Sequence, residues 1–121
     1  MNQPRPTLAP LSLDGEAVIA CDCELFLGPN GPLPMQGVTH LKLEEITAQI
    51  LSAIGPTQVI LPLFTAQHDA AMAIELLEEL GYRGRITVLA PALPKPRLVE
   101  RELRALGPGL RLTLVTPGAA G

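Results

Sequence analysis

TQVILPLFTAQHDAAMAIELLEELGYRGRITVLAP, residues 57–91, is the stretch whose reading decides the fold. Val59-Ile60-Leu61-Pro62-Leu63-Phe64 is a short apolar run bounded by Gly55-Pro56 and by polar residues. That is the pattern of a strand buried on both faces of a parallel sheet, predicted over Gln58–Phe64. A helix is predicted over about Gln67–Leu80. Ala71, Ile74, Leu77 and Leu80 recur at helical spacing beside Ala70 and Leu76, and Glu75, Glu78 and Glu79 take the other side. Gly81 stops it, and Arg85–Ala90 reads as the next buried strand. The unit is a βαβ crossover, whose right hand is nearly obligatory.

Working outward, Glu16–Cys23 reads as a first strand whose carboxyl end carries Asp22-Cys23-Glu24. Residues 1–15 hold Pro4, Pro6 and Pro10 and read as an extended proline-rich arm ending at the Asp14-Gly15 turn. Leu25–Gly37 has too many glycines and prolines to hold a helix. Val38–Leu41 is a brief second strand. Glu44–Ile54 is a predicted helix with Ile46, Ile50, Leu51 and Ile54 on one face and acids at its positive end. Beyond the deciding unit, Arg97–Leu106 is a helix ended by Gly107-Pro108-Gly109. Leu110–Val115 alternates apolar and polar and reads as an edge strand. Residues 16–117 thus form one domain, with 118–121 a flexible tail.

Composition narrows the function classes. Of 121 residues, nine are basic and twelve acidic, with no basic cluster, so a nucleic-acid partner is not expected. No apolar run approaches the roughly 20 residues of a membrane helix, and the first residues lack a signal-peptide core. A cytoplasmic protein is expected, with Cys21 and Cys23 as thiols.

Five strands and three helices in this order make a doubly wound, flavodoxin-like α/β sheet, and over nearly all of residues 16–117 the chain resembles the receiver domain of two-component response regulators. Val18–Glu24 is similar to the family's first strand with its acidic, magnesium-binding end. Val59–Leu63 resembles the third strand, with Pro62 in the place of the phosphoacceptor aspartate. His68-Asp69-Ala70 falls where the family has a Met-Asp-Gly-like turn. Ala90 stands for the hydroxyl residue after the fourth strand, and Thr116 for the lysine before Pro117. Receiver chemistry needs a carboxylate nucleophile, carboxylates holding magnesium, and a lysine. Proline has no nucleophile, and Cys23 is a poor ligand for a hard cation. The resemblance therefore implies a degenerate receiver, non-enzymatic and without cofactor or metal, that acts on a protein partner and is not phosphorylated in the usual way.

The first and last helices of that arrangement are missing here. The remaining helices are expected mainly on one face, leaving the other apolar and nearly bare. A second copy packed there as an isologous dimer, or the arm 1–15 and loop 25–37 folded back, would cover it.

Several residues carry a sharper alternative. Cys21 and Cys23, two apart on a strand, share a face and invite a redox or metal reading with His40 and His68. CxC alone is a weak signal, and buried cysteines serve as small hydrophobes. Asp22, Glu24, His68 and Asp69 converge at strand carboxyl ends, where open α/β sheets bind ligands. They define the rival function, a small-ligand-binding or hydrolytic domain. Helix capping by His68-Asp69 is the structural reading of the same residues. The stripe Lys95, Arg97, Arg101 and Arg104 on the last helix reads as a solvated face or a docking surface for an acidic partner.

Overall fold

The computed structural model describes residues 17–23, 38–65 and 68–116. The expected arm 1–15, Glu24, loop 25–37 and tail 118–121 lie outside them. The strands are β1 (Val18–Cys21), β2 (Thr39–Leu41), β3 (Gln58–Pro62), β4 (Arg85–Leu89) and β5 (Arg111–Val115). The helices are α1 (Ala48–Ile54), α2 (Ala70–Glu79) and α3 (Pro96–Leu106). All neighbouring strands run parallel, in the order β2-β1-β3-β4-β5. This is the flavodoxin-like arrangement, and it puts the topological switch point between β1 and β3.

β3 is buried along its whole length, as its unbroken apolar run predicts, but it stops at Pro62 rather than Phe64. Leu63 N donates to Leu89 O at 2.8 Å. By the alternation of a strand, the missing N–H of Pro62 therefore faces β1, and the β1 ladder ends at Ile60. α2 begins where Asp69 Oδ1 accepts from Met72 N at 2.9 Å. It closes with Gly81 at φ 89°, Gly81 N bonded to Glu78 O and Tyr82 N to Leu77 O. Glycine enters that left-handed conformation without the Cβ clash of other residues.

The helix expected over Glu44–Ile54 is divided. Leu43–Glu45 forms one 3-10 turn, Ile46 is extended, and Thr47 caps α1 by accepting from Ile50 N at 3.1 Å. Two successive β-branched residues weaken a helix, and a threonine hydroxyl competes for the backbone donors, so the chain restarts there.

Two apolar clusters line the sheet. The larger joins Ile19, Val59, Leu61, Ile86, Val88 and Leu112 to Leu51, Ile74, Leu77 and Leu103 of the three helices. The smaller holds Val18, Ala20, Cys23, Ile60 and Leu89, with Val38 and Val115 at its margin and no described helix residue. Beside it Thr87 donates to Gln58 Oε1, a buried polar pair. This second face was expected to be nearly bare. On it Ile60 and Leu89 are 0% exposed within one chain.

β5 is an edge strand, as its alternation predicts, and α3 covers its outer rim. Arg104 Nε donates to Leu112 O at 3.1 Å, and Leu114 N donates to Glu100 Oε2 at 2.9 Å. Arg104 also lies 3.6 Å from Glu100. One arginine of the basic stripe is thus engaged with the sheet rather than offered to a partner. Satisfying edge groups in this way blunts strand-to-strand association. Glu100→Ala is expected to lower stability by about 1.5–3 kcal/mol, the worth of a bond to a charged acceptor, as read by urea unfolding.

Candidate functional site

The carboxyl ends of β1 and β3 flank the switch point, and what gathers there follows from how each strand stops. β1 ends at Cys21 and passes into Asp22, which adopts φ 54°. Aspartate is among the few side chains that tolerate this left-handed geometry. The turn re-aims the chain, so Cys21 belongs to the larger cluster and Cys23 to the smaller. The two cysteines therefore do not share a face, which corrects the expectation of a common CxC redox or metal pair. Cys23 is buried, its thiol donating to Cys21 O at 3.3 Å and Ile60 O at 3.4 Å. His40 lies within β2, opposite Ala20, and not at a strand end.

Asp22 Oδ2 accepts from Leu43 N at 3.0 Å, and Asp22 N donates to Leu41 O at 2.9 Å. These bonds tie the 3-10 turn after β2 to the end of β1 and carry Glu44 over the switch point. On the other side, β3 passes into Leu63-Phe64-Thr65, with Phe64 bridged to Asp69. Thr65 Oγ1 accepts from His68 N at 3.0 Å, and Thr65 N donates to His68 O. The loop so held points His68 back toward the end of β1. His68 Nε2 lies 3.8 Å from Glu44 Oε1. One ligand atom each from Asp22, Glu44 and His68 lies within 4.8 Å of the other two. Both ring nitrogens of His68 are buried and have no hydrogen-bond partner among the described residues, an arrangement that ordinarily costs about 1–3 kcal/mol.

The sequence-derived site residues are distributed as follows. Asp22 and His68 are brought together. Asp69 is beside them but works as the cap of α2, with its Oδ1 engaged by Met72 N. Glu24 is outside the described residues. Pro62 ends β3 in a buried position. Ala90 follows β4, its N–H donating to Val115 O at 2.9 Å, and Thr116 follows β5. A receiver-type magnesium ion does not fit this donor set: Cys23 is turned into the core, Pro62 supplies no side-chain oxygen, and Asp22 alone of the described acidic end remains. Glu44 is the residue that sequence reading missed. It read as a first-turn helix charge, and no local signal announces a contact made through residues 21 positions apart.

The cleft lined by Cys21, Asp22, Leu43, Pro62, His68 and Asp69 has a volume of about 10 Å³. That is room for a single ion or water, against the several hundred Å³ of a small-molecule site. A larger groove of about 360 Å³ lies at the opposite, amino edge between the ends of α1 and α2, lined by Leu51, Gly55, Leu80, Tyr82 and Arg83 among others. In the sequence its Gly55 and Gly81 read only as the boundary before the buried strand, Gly55-Pro56, and the stop of the following helix. Arg83 there is already engaged, Nη1 donating to Tyr82 O at 2.8 Å and lying 3.7 Å from Glu78. The groove offers no convergent polar set for a ligand.

No protein-family model and no solved structure matches the chain. The chain is 31% identical over 81 residues to dihydroxy-acid dehydratase 2 of Bordetella bronchiseptica, a match covering 67% of this chain and 14% of that protein. Among the described residues, no helix is long and apolar enough to cross a membrane.

Proposed function

We propose that the chain is a non-catalytic regulatory module, a degenerate receiver that acts through protein contact and takes no phosphoryl group on an aspartate of β3. The carrying observation is the apolar character of the sheet's carboxyl edge. Phe64, Met72 and Leu98 are the large hydrophobics exposed among the described residues, at 61%, 48% and 40%. Phe64 follows β3, and Met72 and Leu98 lie in the first turns of α2 and α3. Exposed hydrophobic residues are ordinary when scattered, but their placement on one edge supports a contact surface. Self-association through this edge is the mode favoured here over a dimer through the sheet face, a preference supported by the 0% exposure of Ile60 and Leu89 within one chain.

The 10 Å³ cleft weighs against the rival small-ligand or hydrolytic reading. The dehydratase match covers too little of that protein for its activity to be carried over. Cys21 and Cys23 as buried thiols support a reducing, cytoplasmic setting.

Light scattering coupled to size exclusion, on the full chain through the micromolar range, is expected to give a dimer that Phe64→Ser and Met72→Ser shift to monomer. A monomer throughout that range defeats self-association. Incubation with acetyl phosphate and Mg²⁺ is expected to leave the protein without an acyl phosphate by mass spectrometry. An adduct on any carboxylate of the switch point defeats the non-phosphorylated reading.

A further inference from the structure

We infer that Asp22, Glu44 and His68 bind a divalent transition-metal ion of the zinc class at the carboxyl ends of three adjoining strands. The site does not depend on the regulatory reading. Each ligand comes from a different element: Asp22 from the end of β1, Glu44 from the turn after β2, and His68 from the loop after β3. The strand order β2-β1-β3 makes these ends neighbours. Their ligand atoms lie within 4.8 Å of one another, with His68 Nε2 and Glu44 Oε1 3.8 Å apart. Two ligands of a tetrahedral ion bonded at about 2.0–2.1 Å are about 3.3 Å apart. Glu44, whose side chain is 66% exposed, has room to change rotamer and close its own share of that difference.

The second observation is independent of the acidic pair. His68 buries both ring nitrogens without a hydrogen-bond partner among the described residues, and a metal ion on one of them supplies the missing interaction. Asp22 is already oriented: Leu43 N holds its Oδ2 at 3.0 Å, the kind of outer hydrogen bond that aims a ligating carboxylate. The adjoining cleft of about 10 Å³ suits an ion and nothing larger. Two carboxylates neutralise a divalent charge, and the imidazole selects a transition ion over magnesium, which prefers six oxygens. Three protein ligands leave a fourth position open, for water or for a side chain of a docked protein.

The test titrates the reduced full chain with Zn²⁺ by calorimetry and follows the imidazole resonances of the chain's two histidines, His40 and His68. One ion per chain is expected, moving the His68 signals and not those of His40. His68→Gln and Glu44→Gln are each expected to weaken binding about tenfold or more, at least the cost of losing an outer-shell partner. Co²⁺ in place of Zn²⁺ is expected to show d–d bands without thiolate charge transfer, a readout needing no variant. No saturable binding, movement of His40 alone, a thiolate band placing the ion on a cysteine, or unchanged affinity in His68→Gln overturns the inference. Displacement of Zn²⁺ by equimolar Mg²⁺ also overturns it, because it marks an all-oxygen site.

Discussion

Ile60→Ala is expected to lower the unfolding free energy by about 2–5 kcal/mol, by the same amount at every protein concentration. Ile60 sits in the middle of β3, paired with Ala20 on one side and Thr87 on the other. Its side chain is 0% exposed, packed with Val18, Ala20, Cys23 and Leu89 on the face that carries no described helix. Truncation removes three carbons from a site enclosed within one chain, so both the lost transfer energy and the residual cavity count. The independence from concentration is the informative half. A face covered only by a second subunit would give a midpoint that rises with protein concentration, because association then contributes to stability. Urea unfolding across a hundredfold concentration range checks this. A midpoint that still moves in the Phe64→Ser, Met72→Ser background, where edge association is removed, or a loss below 1 kcal/mol for the Ile60→Ala variant, shows that the face is not enclosed in the monomer.

Much of the fold was legible because its dominant signal is local. The run Val59–Leu61, the helical spacing of Ile74 and Leu77, and the stop at Gly81 each depend on residues a few positions apart. Val59, Ile60, Leu61, Ile74 and Leu77 are buried, and Gly81 marks the exposed end of α2. The misreadings share a different cause. Pro62 lies inside an apolar run, yet its lost N–H faces a neighbouring strand, a consequence that appears only once the pairing is known. Ile46 keeps the period of a helix and is buried, but it packs from an extended residue before α1. In the candidate site, Asp22 and His68 were legible as polar residues at strand ends. Glu44 was not, since it reaches the site through the bond between Leu43 and Asp22.

That bond is also the basis of the second large effect. Asp22→Ala is expected to cost about 2–3 kcal/mol, from two sources that separate variants can tell apart. Leu43 is buried, and its N–H loses its acceptor, a loss of about 1–3 kcal/mol. Alanine at φ 54° also meets the left-handed region with no side chain able to bond its own backbone, where aspartate is tolerated. Asp22→Asn keeps both the left-handed preference and an oxygen for Leu43 N, and is expected to cost the least. Asp22→Gly relieves the backbone but leaves Leu43 N unsatisfied, and falls between asparagine and alanine. If glycine proves as stable as the wild type, the side-chain bond contributes nothing, and the turn carrying Glu44 is held by the Asp22 N–H to Leu41 bond instead. The asparagine variant then separates stability from binding. It retains the fold while removing one of the two carboxylate charges, so Zn²⁺ affinity is expected to fall even though the unfolding midpoint barely moves. An aspartate placed here only to shape the turn would lose neither.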